Sequence, residues 1–135
     1  MKYLLAIAML LTVFTIPVSA DDTAAAQKAA TSWLALVDAG NYSVAWDQAA
    51  AVVKSKAPRD GFSAAVGGVR TKVGALHKRT LKSATPMTNI PNAPPGHYVV
   101  LLYSTSFANM PNATETVTPM LEKDGKWRVS GYYIH

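Results

Sequence analysis

The sequence predicts an α+β fold, with N-terminal helices packed on a curved four-stranded antiparallel sheet. Three observations lead there. Alanine crowds residues 24–65, whereas Thr, Val, Tyr and Pro crowd the part after 80. Apolar residues recur at helical spacing in the first half and in β-branched, aromatic runs in the second. Asp124-Gly125 separates the last two of those runs and favours a tight hairpin. Helices first and strands afterwards is the order of folds in which helices cover one sheet face.

A leader precedes this domain. Lys2 is followed by an apolar run from Tyr3 to Ile16, then Pro17-Val18-Ser19-Ala20 and Asp21-Asp22. A positive head, an apolar middle and a small-x-small site read as a signal peptide, residues 1–20, cut after Ala20. The expected location is the periplasm or the secreted medium. The run is shorter than the roughly 20 residues that span a bilayer, so no stable membrane anchor is expected. Cysteine is absent, which excludes disulfides and a lipidated cysteine. Residues 21–135 form a single domain, without repeats or long linkers.

The first helix is expected over Thr23–Ala39, capped by Asp22 or Thr23 and stopped by Gly40. Ala26, Ala30, Trp33 and Val37 form its buried stripe. A second helix starts at Asn41 or Ser43, with Trp46, Ala50 and Val53 on one face, and breaks at Pro58. A third carries Phe62, Ala65, Val66 and Val69 on one side. Gly67-Gly68 weakens it by about 1 kcal/mol per glycine, which predicts an end near Arg70.

Four strands follow: about His77–Ala84, Tyr98–Phe107, about Thr114–Lys123 and Lys126–Ile134. Pro86, Pro91, Pro94 and Pro95 mark a loop after the first. A two-residue type I′ turn at Asp124-Gly125 would set Met120 opposite Val129, Glu122 opposite Trp127 and Thr118 opposite Gly131. Val117, Leu121, Arg128, Tyr132 and Ile134 then share the other face. Both faces carry apolar groups, and the helices cover one. The expectation is that the open face has other cover, such as a second copy in a homodimer. The arrangement resembles the cystatin-like, NTF2-like cone.

The chain also resembles a family of exported bacterial proteins, domain of unknown function 4019. The residues that carry the resemblance are Trp33, Asp38-Ala39-Gly40, Tyr42, Ala45-Trp46, Arg70, Gly74 and Arg79 in the first half. In the second they are Pro95 to Val100, Phe107-Ala108-Asn109, Glu115-Thr116-Val117 and Leu121 to Tyr133. The resemblance implies export and overall shape, and no catalytic residue.

The formal net charge is +5, and Arg70, Lys72, Lys78, Arg79 and Lys82 cluster in sequence. Only His77 lies among them as a ring, so stacking on bases has no support and no nucleic-acid partner is expected. A solvated basic face is the plainer reading, and attraction to an anionic envelope component the sharper one. His77, His97 and His135 lack metal-ligand spacing, so no metal site is expected. No cofactor motif, nucleophile elbow or phosphate loop is present.

Acid–base work would need an acid in an apolar cavity near a phenol. Asp38, Asp47 and Glu115 are the candidate acids, and Tyr98, Tyr103 and Tyr132 the candidate donors. The plainer readings place Asp38 in water at a helix end, Asp47 outward, and Glu115 against a basic neighbour. Arg128 could form a cross-strand pair with Glu115. The expected function is a non-catalytic binding module with a small apolar pocket and no catalytic residues. Trp33, Trp46, Trp127, Tyr98, Tyr132 and Arg128 are its candidate ligand contacts. The alternative is a small-molecule isomerase or lyase that uses a buried carboxylate.

Overall fold

A computed structural model describes residues 20–135. Four helices, α1 (Ala20–Asp38), α2 (Tyr42–Gln48), α3 (Ala51–Lys56) and α4 (Arg59–Val73), precede four strands. These are β1 (Leu76–Met87), β2 (Tyr98–Phe107), β3 (Met110–Leu121) and β4 (Trp127–Ile134). The strands form one antiparallel sheet in the order β1-β2-β3-β4. The expected leader lies outside the described residues, apart from its last residue, Ala20.

Helix α1 lies across the sheet and meets every strand. Its stripe is the one read from the sequence, with Leu34 added: Ala26, Ala30, Trp33 and Val37 are all buried. Across from it stand Val99, Leu101, Tyr103, Val117 and Val129. Asp22 and Thr23 lie inside the helix, so neither caps it. At the other end Gly40 has φ +78, its N–H bonds to the Val37 carbonyl, and the Asn41 N–H bonds to the Leu36 carbonyl. That double closure is a Schellman ending, and its left-handed residue suits glycine.

The single second helix expected from the sequence is two. Ala49 and Ala50 are extended, with ψ of 164° and 154°, and the Ala50 N–H donates to the Val129 carbonyl of β4 at 2.8 Å. A sheet-edge acceptor thus takes the N–H that would have continued the helix. Two buried alanines let the backbones approach that closely.

Helix α4 runs on to Val73, and Gly74, with φ +80, stops it. Its inner stripe is Phe62, Val66, Arg70 and Val73, whereas Ala65 and Val69 face outward. A Cβ on Gly67 would stand 3.0 Å from the Tyr42 ring, so this glycine lets α2 and α4 pack together.

Pro86 belongs to β1, opposite Val99, rather than to the loop. β1 is an edge strand, where a missing N–H costs no ladder bond. β3 starts earlier than expected because Ala108-Asn109 makes the whole β2–β3 turn, with Phe107 opposite Met110. The Ala108 and Asn109 N–H groups are held by the carbonyls of Ala75 and Val73.

The β3–β4 hairpin differs in detail. The Glu122 N–H bonds to the Lys126 carbonyl, and Gly125 alone of the turn residues has positive φ, +81. The loop therefore has the three residues Lys123-Asp124-Gly125, the type I turn plus left-handed glycine common in such hairpins. This shifts the register by one, so Leu121 opposes Trp127 and Met120 opposes Arg128. Ser130 is then left over as a bulge, its hydroxyl bonded to the Thr118 carbonyl, and Thr118 opposes Gly131 as expected. The bulge resets the alternation, so Val129 and Tyr132, expected on opposite faces, both join the helix-side core.

On the outer sheet face Met87, Leu102 and Tyr133 are exposed. Tyr98 is buried there, its hydroxyl bonded to the Pro94 carbonyl. Part of the cover expected on this face thus comes from the chain's own proline loop.

Candidate functional site

Beneath the helices the fold brings together one polar side chain from each strand and one each from α1 and α4. They are Arg79 (β1), Thr105 (β2), Glu115 (β3), Tyr132 (β4), Asp38 (α1) and Arg70 (α4). Glu115 is completely enclosed, at 0% exposure. Its Oε1 accepts from Arg79 Nε at 2.6 Å and Thr105 Oγ1 at 2.7 Å. Its Oε2 accepts from Arg79 Nη2 at 3.2 Å and from the Tyr132 hydroxyl. The same guanidinium donates to both oxygens of Asp38, at 2.8 and 2.9 Å, and Arg70 Nη1 donates to Asp38 Oδ1 at 2.9 Å.

Two carboxylates and two guanidiniums balance to zero charge, which is how buried ions are tolerated. Burial works against the charge on Asp38, but the hydrogen bonds and charges of Arg79 and Arg70 outweigh it and hold its pKa below the usual value. Burial likewise opposes the Arg79 charge, and its bonds to Asp38 and Glu115 hold it ionised more firmly than usual. The Tyr132 phenol is pushed well up, first by burial and then by the carboxylate beside it. Burial also raises Tyr103. Arg70 leaves its buried Nε without a partner among the described residues and sets its guanidinium 5.0 Å over the Phe107 ring.

An acid therefore does sit opposite a phenol between helices and sheet, contrary to the expectation of an interior without one. The plainer reading of Glu115 also holds, since it pairs with a basic neighbour, Arg79 rather than Arg128. Asp38 is not simply solvated at its helix end but grips two arginines. Asp47 does face outward, paired with Arg59. The clustered bases divide: Arg70 and Arg79 turn inward, and Lys72, Lys78 and Lys82 stay exposed. Arg70, Arg79 and Thr105 are the site residues that sequence reasoning missed. Arg70 had a signal, because it extends the Phe62–Val66 stripe by four residues.

The candidate ligand contacts fall in four places, Tyr132 in the polar cluster beside Glu115. Trp33, Trp127 and Arg128 border one hollow of about 390 Å³ between α1, α2 and β4, with Leu36, Val44 and Val129. Ala29, Ser32, Gln48 and Lys126 complete its lining. The Trp33 indole N–H is fixed on the Ala45 carbonyl at 2.8 Å, and its ring meets Tyr132 edge-on at 5.3 Å. Arg128 is held by Glu122 and Asp124 at the hairpin, because the bulge puts it out of phase with Tyr132. Trp46 joins neither core nor hollow. With the helix broken after Gln48, Ala45, Ala49 and Ala50 are the buried residues there. The Trp46 ring lies between Lys54 and Arg59, and its N–H bonds to the Ala57 carbonyl. Tyr98 lies on the outer sheet face, away from the others.

Among the described residues, no helix is long and apolar enough to cross a membrane, and no three of His, Cys, Asp and Glu gather at one point. No curated protein and no solved structure matches the chain. Residues 29–132 match the family described as Protein of unknown function (DUF4019), a span that takes in both the six-residue polar cluster and the two-indole hollow, and the chain belongs to that family.

Proposed function

We infer that the chain is an exported, non-catalytic binding module that holds a small apolar ligand in the hollow between α1, α2 and β4. The observation that carries this reading is the pair of indoles, Trp33 and Trp127, on an otherwise aliphatic lining with polar groups around it. Such linings suit small ligands, with a few polar groups fixing orientation. The leader from Lys2 to Ala20 supports export to the periplasm or medium. The cone-type shape expected from the sequence fits the same role.

The rival isomerase or lyase draws on the Glu115–Tyr132 pair. A substrate would have to displace Arg79 or Thr105 to reach that carboxylate, because both of its oxygens are already occupied. An acid so enclosed holds structure together and leaves no lone pair for chemistry.

The test is a titration of the purified protein with anilinonaphthalene sulfonate, an apolar fluorophore. Saturable binding is expected, weakened by Trp127→Ala and by Val44→Arg, which puts a long charged side chain at the lining. Equal binding by both variants would remove this assignment. Mass spectrometry of the protein from its host should show a chain beginning at Asp21. Light scattering tests self-association through the outer sheet face, where Leu102 and Tyr133 are exposed.

A further inference from the structure

Strand β4 closes one side of the sheet, and its outer edge is only partly covered. Thr114 and His135 exchange both backbone hydrogen bonds, at 2.7 and 3.0 Å. Such pairs alternate along an antiparallel ladder. Tyr133 and Gly131 therefore turn their N–H and C=O groups toward β3, and Tyr132 and Ile134 turn theirs away. Among the described residues no hydrogen bond reaches those outward groups. Farther along the same edge the Val129 carbonyl accepts the Ala50 N–H, so the edge does pair where a donor is supplied. Free strand groups of this kind are a template for another strand.

Two hollows flank the free stretch. One, of about 260 Å³, lies on the helix side, against Phe62 and Val66 of α4. Five consecutive β4 residues, Val129 to Tyr133, line it together with Trp33 of α1. A sheet face presents only alternate residues, so five in a row mean that the hollow opens along the strand edge. The other, of about 390 Å³, lies on the outer face, where Ser130, Gly131 and Tyr133 meet Tyr98 and Ile90. Lys56 borders both hollows. It is exposed and has no ion pair among the described residues.

We propose that the β4 edge from Ser130 to Ile134 docks an extended acidic peptide segment of another protein, which adds as a fifth strand with a carboxylate against Lys56. Successive side chains of a strand point to opposite faces, so the added segment would fill the helix-side and outer hollows in turn. Backbone pairing supplies affinity and the two hollows supply selectivity, as in other strand-addition sites. Charge favours an acidic partner over a second copy. The chain carries a net charge of +5, and two copies joined edge to edge would leave Lys56 unpaired in each. The helix-side hollow shares Trp33 and Val129 with the small-ligand hollow, whereas Trp127 borders neither flanking hollow and so distinguishes this site from the small-ligand reading above.

The test uses fluorescence anisotropy of the purified protein with a labelled hexapeptide, Glu-Val-Thr-Val-Thr-Val. Two further versions carry N-methyl groups on the odd or on the even residues. Saturable binding is expected, about tenfold or more weaker for one methylated version and unchanged for the other, because only one set of N–H groups faces β4. Lys56→Glu should weaken binding, and a peptide with lysine in place of its glutamate should bind that variant better than the native protein. Trp127→Ala should leave peptide binding unchanged while it lowers fluorophore binding. Absence of saturable binding, or equal binding by both methylated versions, would overturn the proposal. So would a dimer in light scattering that survives Leu102→Arg on the outer face and that the peptide fails to dissociate.

Discussion

Arg79 and Arg128 each hold two carboxylates, in opposite settings. Arg79 joins Asp38 to Glu115 under the helices, with side-chain exposures of 14%, 24% and 0%. Arg128 joins Glu122 to Asp124 at the hairpin, at 27%, 18% and 49%. The chemistry is the same and the solvent differs. In the interior an ion stripped of water depends on its partners, and removal of one leaves an uncompensated charge. At the surface water replaces a lost partner, and the pair contributes little. The inner set ties four strands and two helices into one register. The outer set trims a single turn.

The largest effect that would sharpen this contrast is expected from Glu115→Ala. It leaves Arg79 buried beside a void and should lower unfolding free energy by roughly 3–5 kcal/mol in a denaturant titration. Replacing Glu115 by Leu together with Arg79 by Met should recover much of that loss, since apolar groups of similar size need no partner. A double variant as unstable as the single one would show that burial is not the deciding difference.

Next in size is Tyr132→Phe, which takes one donor from Glu115 and should cost about 1–3 kcal/mol. The pKa of the folded phenol lies above its ordinary 10.0, so its contribution is full below pH 10 and is lost as pH rises further. Native protein should therefore lose stability in alkali more steeply than the variant, as read by thermal melts across that range.

Asp38 gives the acid counterpart. Its folded pKa lies below 3.8, so the unfolded chain takes up the proton first. Its contribution is complete above that value and fades as pH falls through the lower folded one. Asp38→Asn should flatten this acid limb in melts below pH 4.

The smallest effect belongs to Asp124→Asn. The bonds to Arg128 and to the Lys126 N–H lower this exposed carboxyl to about 2. The amide oxygen can still accept the Lys126 N–H, so near neutrality only a slight drop in melting temperature is expected, smaller than for any interior variant. That difference should fade as pH falls from about 4 to about 2, where the native carboxyl takes up its proton, and added salt should shrink it. A large change at neutral pH would break the contrast between the two arginines.

The α1 stripe, β2 and the Gly40 stop were legible because each rests on local periodicity or on one residue's backbone freedom. The break at Ala49-Ala50 was not, since it comes from a carbonyl nearly 80 residues away, on Val129. The two-residue turn misled because Asp-Gly also serves the three-residue loop, and choosing between them depends on where the ladder tolerates Ser130. In the polar cluster the acid and the phenol were named correctly as residues. Their meaning was hidden, because Arg79 looks like one more surface base until the bulged β1 sets it inward beside Leu81. Trp33, on the stripe read as buried, also borders the hollow, since one indole can offer an inner and an outer surface.

Ser130 has a consequence for how this chain can vary over generations. One codon lost or gained there would invert every later position, sending Tyr132 into water and Tyr133 into the interior. The final strand can thus accept replacements but not changes of length. Such changes are confined to stretches like residues 88–97, where no ladder keeps count.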